Sequence, residues 1–372
     1  MLLASACSLR AQAAETKTKP SVENFSEYLF GDWAGYRETL AEHGVEPSLF
    51  IITDPFGNVT GGQRTGFTDY SLAGLDVRFD TARIFGWHGG QIRVGAAVNF
   101  GTSLSSSYVG KGYSLTHPEL LDNPLTTWGA RVRYAPTKKV YLQAGAYNGD
   151  PKVKEGSRHG VDFSLRGPLF AIGELGLRWN YGQQDTGLAR NLKIGGYYNG
   201  GTFPTTATVS GSQTLRNAHG LYGLYILGDQ QVWRWRDEGH GRDRYMGIFG
   251  AFTAAPQQRI NTVPYFADAG VAAYGPFRSR ARDFAALGIV YGSYNNAPQQ
   301  GGVPATSLIP APNNEETLEA TYGYCLKRGL LLQPSLQYII DPKGNASIPS
   351  TLPPNSRVPN AFAIGMNIVA NF

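Results

Sequence analysis

Charged and polar residues recur at alternate positions in several extended segments of this 372-residue chain, each set against a run of apolar residues on the intervening positions. Arg131 and Arg133, with Gly129, oppose Trp128, Ala130, Val132 and Tyr134. Gln91, Arg93, Gly95, Ala97 and Asn99 oppose Ile92, Val94, Ala96, Val98 and Phe100. Asp76, Arg78 and Asp80 oppose Leu75, Val77 and Phe79, while Glu174, Arg178 and Asn180 oppose Leu175, Leu177 and Trp179. Lys193 and Glu319 occupy comparable places further along. Guanidinium forks and carboxylates in such rows can replace the hydration of a hydroxylated or charged solute with directional hydrogen bonds, and they set an ion preference in a water-filled passage. Tyr141 and Tyr147, on the polar side of their segment, offer rings that can stack on the apolar faces of a sugar ring. A second reading stays open: these charges are merely solvated, and point one way because an apolar medium excludes them from the other. Tyr134, Tyr338 and Trp179 fit packing or interfacial roles.

Other chemistries find little support. The six histidines, His43, His88, His117, His159, His219 and His240, lie mostly in connections and form no H-E-x-x-H pair. No G-x-S-x-G, C-x-x-C or phosphate-binding loop occurs, so neither an enzyme, a cofactor nor a metal is expected. Cys325 has only Cys7 as a possible partner, and Cys7 lies in a leader-like stretch. Cys325 therefore reads as a packing residue. The net charge of +5 comes from scattered Lys and Arg, which gives no footprint for nucleic acid.

The elements that must hold these rows are strands. The chain is rich in Gly, Tyr and Phe, has three Met and only 16% charged residues, and has slightly negative mean hydropathy. No run approaches the roughly 18 to 20 apolar residues of a membrane helix. One helix is expected near the start, where Phe25, Leu29, Trp33, Tyr36 and Leu40 share helical spacing, Asp32 can cap and Gly44 can stop it. Beyond it the spacing predicts about fourteen strands, at 45–58, 69–80, 90–101, 126–135, 139–148, 169–181, 190–200, 218–234, 243–253, 262–275, 282–293, 314–326, 330–341 and 359–372, long enough for tilted spans. Long connections (102–125, 149–168, 201–217, 295–313, 342–358) alternate with short ones such as 136–138 and 327–329. In the final strand Phe362, Ile364, Met366, Ile368, Ala370 and Phe372 share one face, and small or polar residues the other. This combination predicts an up-and-down transmembrane β-barrel, with short turns on the periplasmic side and longer loops outside. Lipid then forces the charged rows inward, since Arg or Lys on a lipid face costs about 2 to 4 kcal/mol. The expected organisation is a signal-peptide remnant at 1–14, a periplasmic segment with an amphipathic helix at 15–44 and the barrel at 45–372.

Six motifs in order give the chain a family resemblance. They are Tyr28-Leu29-Phe30-Gly31-Asp32-Trp33-Ala34-Gly35-Tyr36-Arg37, Phe56-Gly57-Asn58-Val59-Thr60-Gly61-Gly62, Gly86-Trp87-His88-Gly89-Gly90, Ser103-Leu104-Ser105, Tyr141-Leu142-Gln143-Ala144-Gly145 with Asn148-Gly149-Asp150-Pro151, and the run from Leu332 to Pro342. From Glu23 to Phe372 the chain resembles the carbohydrate-selective porins of the OprB type. The resemblance implies an outer-membrane barrel passing glucose and other sugars by facilitated diffusion. Ala34 and Tyr36 replace residues that are usually Gly and Leu in that family. The interval 111–127 also lacks a hairpin of the fuller family pattern, so fourteen strands are expected in place of sixteen. Expected partners are sugars, outer-membrane lipid and lipopolysaccharide, and the assembly machinery through the strand ending in Phe372; the oligomeric state stays open. The alternative function is a non-selective or plugged barrel with an envelope role, in which the segment around Asp32 to His43 fills the pore or caps its mouth.

Overall fold

In a lipid interior every backbone N–H and C=O must find a partner within the protein, and strands achieve this only by closing on themselves. The computed structural model describes residues 28–62, 64–101, 128–149, 167–181, 185–204, 217–235, 244–257, 261, 263–293, 314–342 and 358–372. Among these, fourteen strands form one closed antiparallel barrel in which each pairs with its chain neighbours and the first pairs with the last. They are β1 (Val45–Thr60), β2 (Gly66–Asp80), β3 (Gly90–Gly101), β4 (Trp128–Tyr134), β5 (Val140–Asn148), β6 (Leu169–Trp179), β7 (Arg190–Pro204), β8 (Asn217–Arg234), β9 (Tyr245–Ala254), β10 (Tyr265–Tyr274), β11 (Phe284–Ser293), β12 (Asn314–Lys327), β13 (Leu330–Ile340) and β14 (Ala361–Asn371). No described helix is long and apolar enough to cross a membrane.

Side chains alternate across this wall. Leu142, Leu169, Leu224, Leu287, Leu318 and Leu336 are each more than half or nearly half exposed on the outer face. The intervening positions turn inward and mix polar and small residues with a buried apolar cluster of Phe266, Phe284, Val290, Leu331 and Val369. At the β1–β14 seam, Phe50 pairs with Asn371, Ile52 with Val369, and Phe56 with Gly365, so the final strand's even-numbered apolar residues face out, as expected. β3 pairs directly with β4, from Gly90 opposite Tyr134 to Ala96 opposite Trp128, so the barrel closes without a further hairpin between them. Residues 102–127 themselves lie outside the described set.

Two expectations about the connections need correction. The link between β1 and β2 is short, residues 61–65, although it lies at the rim of the longer loops. β2 accordingly starts at Gly66 instead of 69, because Gly66 and Phe67 continue the ladder opposite Asn58 and Gly57. A short helix, α2 (Thr81–Phe85), also follows β2 where none was expected. The Asp80 carboxylate accepts from the N–H groups of Ala82 and Arg83, and Gly86 ends the turn at φ 72°, which are the local start and stop signals in the sequence.

The N-terminal helix is shorter than its apolar spacing suggests. Only Tyr36–Glu42 is helical, here called α1, and Phe25 is outside the described residues. Trp33 and Ala34 adopt φ of 50° and 57°, and the preceding turns fold the segment back instead of extending the helix. The fold-back encloses a cation. The Arg37 guanidinium lies 3.6 Å from the Tyr28 ring centroid and 4.0 Å from that of Trp33, and donates to the main-chain oxygen of Phe372. Leu29 N–H donates to Asn371 O at 2.7 Å, and the Phe30 and Phe372 rings sit 5.1 Å apart. Asp32 accepts from Glu38 N–H at 2.8 Å. Gly329, in the β12–β13 turn at φ 76°, lets this segment close in, because a Cβ there would lie 2.3 Å from Leu29 N. The segment from Tyr28 to Gly44 therefore sits against the short-turn rim at the seam.

A desolvated cation between two rings contributes about 2 kcal/mol or more. Arg37→Ala is therefore expected to leave β-rich circular dichroism unchanged while lowering, by a few degrees, the temperature at which the heat-modified gel band appears. An unchanged transition temperature would show that the rim contact contributes nothing to barrel stability.

Candidate functional site

The antiparallel registers gather the basic rows on one side of the barrel interior. Arg78 of β2 lies opposite Arg93 of β3, which lies opposite Arg131 of β4, so three guanidiniums stand in direct cross-strand register. One step along, Gln91, Arg133, Gln143 and Glu174 form the next row across β3 to β6. Arg178 of β6 pairs with Asn191 of β7, and Asn191 with Asp229 of β8, while Lys193 lies opposite Gly176 and Leu227. Tyr141 and Tyr147 belong to the same inner face, opposite Gly176 and Phe170. Glu319 does not join this group. It lies on β12 across the barrel, buried, and accepts from Ser335 Oγ at 2.8 Å.

Like charges directly opposite one another repel, so their partners decide what the row can do. Arg78 is ion-paired with Glu46, and Arg93 reaches Asp76 at 3.4 Å and Gln91 at 3.3 Å. Arg131 makes no ion pair with a described residue, nor do Arg178 and Lys193. Arg133 and Arg178 instead lie over the Tyr141 ring, 4.1 and 4.8 Å from its centroid.

The acids nearby are held by neutral donors. Tyr141 Oη donates to Glu174 Oε1 at 2.7 Å, and Tyr225 Oη donates to Oε2 at 3.0 Å. Glycines make this clamp possible. Tyr141 lies across Gly176, where a Cβ would come within 1.9 Å of its ring, and Tyr225 reaches over β7 at Gly195, where a Cβ would be 2.2 Å from Tyr225 Cζ. Asp229 is held likewise, accepting from Tyr181 Oη at 3.2 Å and Asn191 Nδ2 at 3.1 Å. Glu46, Tyr225, Asp229 and Asn191 were not singled out by the sequence. Their signal, inward parity on strands flanking the arginine rows, is present but common to every inward residue.

The opposite wall is acidic and amide-rich. Asp54, Asp268, Glu315, Thr317, Gln333, Gln337 and Asn367 are all buried there, and Asn367 Nδ2 donates to Asp54. Cys325 packs beside Leu331 and Val369 and its N–H donates to Asp283 Oδ1 at 3.0 Å, in keeping with a packing role. Of the residues expected at interfaces, Tyr134 stacks on Trp87 at 5.6 Å, and Trp179 lies under Arg190 at 5.6 Å. Among the described residues no group of His, Cys, Asp and Glu could hold a metal.

A closed barrel that is apolar outside, with a charged and aromatic interior, is a membrane channel of the porin class. The chain belongs to the family described as carbohydrate-selective porin, OprB family, whose model matches residues 121–372. It is an outer-membrane β-barrel, and its family and fold are those of channel proteins. Porin B of Pseudomonas aeruginosa is 22% identical over 425 aligned residues, covering 91% of this chain and 92% of that protein. A putative porin, QuiX, of Acinetobacter baylyi is 20% identical over 429, covering 93% of each. The high-pH structure of Pseudomonas putida OprB superposes with a TM-score of 0.69 at 19% identity, covering 93% of this chain and 99% of that one, which shows the shared fold.

The clamp on Glu174 is open to test. Tyr225→Phe keeps the ring and removes one of the two phenol donors to Glu174, and is expected to reduce resistance to urea unfolding by about 1 to 3 kcal/mol. Gly195→Val is expected to cost more, because its Cβ would meet both that ring and the Gly173 main-chain oxygen, at 2.6 Å. Equal stability of both variants and the parent, measured by gel mobility across a urea series, would remove the clamp from the account.

Proposed function

We propose that the barrel admits sugars such as glucose by facilitated diffusion, with the β2–β8 wall as the surface along which they pass. The contiguous inner row of Arg78, Arg93 and Arg131, next to Arg133, Tyr141 and Glu174, carries this reading. A sugar crossing the membrane must exchange its hydration for hydrogen bonds that form and break easily. Guanidiniums, amides and phenols lining a wet interior supply these, and rings such as Tyr147 offer a stacking face. A barrel of this strand number lies nearer to the porins with aqueous channels than to small barrels filled by side chains. Family membership supports the substrate class, and Arg178, Lys193 and Glu319 extend the polar lining around the interior. The position of α1 at the seam rim supports a reading in which the described part of the N-terminal segment braces the barrel instead of plugging it. In this reading outer-membrane lipid and lipopolysaccharide surround the apolar face, and assembly machinery engages the strand ending in Phe372.

Single-channel recording in planar bilayers tests the proposal. Open channels whose current is reduced by added glucose are expected. Replacing Arg131 and Arg133 with Ala is expected to shift the reversal potential toward cations and to weaken glucose block, with assembly intact, because interior substitutions tune selectivity more than stability. Unchanged ion preference and unchanged block in that double variant would reduce these two arginines to solvated wall charges.

A further inference from the structure

The pairing of charges on the β2–β8 wall narrows the solute further. Two of its cations have their own acids: Arg78 with Glu46 and Arg93 with Asp76. The wall's other two acids, Glu174 and Asp229, make no ion pair with a described residue. Both oxygens of Glu174 accept from phenols, and both oxygens of Asp229 accept from a phenol and an amide. Arg131, Arg178 and Lys193 are thus left without an ion pair to any described residue. Arg131 also stands in direct register with Arg93, a like-charge contact that a neutral solute leaves in place and an anion relieves.

Hydroxyl-binding groups surround the same place. Gln91 and Gln143 lie in the row of Arg133, and Tyr147 lies diagonally across β5 from Arg131. Asp54, Asp268, Glu315 and Glu319 lie buried on the far wall, whereas Arg131, Arg178 and Lys193 stand on the β2–β8 side, so an anionic end is directed to the arginine side. We propose that the preferred solute is a hydroxylated monocarboxylate, a sugar acid, whose carboxylate is taken in fork geometry at Arg131 while its hydroxyls meet Gln91, Gln143 and Tyr147. The proposal rests on the channel reading above and deepens it.

Bilayer recordings at fixed ionic strength, with gluconate, glucose, glucitol and acetate added in turn, provide the test. Gluconate is expected to block at about a tenfold lower concentration than glucose or glucitol, which lack the charge, and than acetate, which lacks the hydroxyls. In Arg131→Gln the gluconate preference is expected to fall to within about twofold of glucose. If that variant does not assemble, Arg131→Lys, which keeps the charge and loses the fork, is expected to lower the preference about threefold. Glucose block equal to gluconate block, acetate block equal to gluconate block, or an unchanged preference in the variant that assembles would each overturn the sugar-acid assignment while leaving the channel intact. Absence of any conductance would overturn the channel reading and this inference together.

Discussion

The structure depends on one constraint: no backbone hydrogen bond can be left to a lipid interior that offers no partner. Closure satisfies it, and the pairing of β1 with β14 is where closure is achieved. Once the ladder is continuous, the two-residue repeat of a strand divides every segment between lipid and interior. The charged rows are therefore a by-product of the wall before they are a binding surface. The register aligns three arginines from three successive strands.

Within that wall Glu174 and Asp229 are held by neutral donors and not by the neighbouring cations. Phenols of Tyr141, Tyr225 and Tyr181 and the amide of Asn191 take the carboxylate lone pairs. These donors fix the carboxylates without bringing a cation onto them.

Much of this was legible in the sequence because the governing period is two residues and the punctuation is strong. Trp128 to Tyr134 alternates so strictly that the inward parity of Arg131 and Arg133 needed no structure. The fourteen-strand count followed from the same rule together with the connection lengths. The clamp on Glu174 was not legible. It depends on Tyr225, a ring from two strands away, crossing β7 over Gly195, and nothing local to either residue announces that reach. The segment 28–35 was misread for a related reason. Its apolar spacing suits a helix, but Tyr28 and Trp33 are spent on enclosing Arg37, a tertiary demand that overrode the local pattern.

The rim contact of Arg37 with Phe372 joins positions 335 apart in the chain. Made from an open chain, such a contact would carry a large loop-closure entropy, although each doubling of loop length adds only about 0.6 kcal/mol. After β1 has zipped to β14, its two partners already lie at one corner of the wall and the remaining loop is short. Their effective concentration rises only at that moment. The hydrogen bond from the guanidinium to Phe372 is thus conditional on a finished seam, whereas its stacking on Tyr28 and Trp33 is local. The contact acts as a molecular tally of completion: it forms late, and it must be broken before the seam can start to unzip from that end.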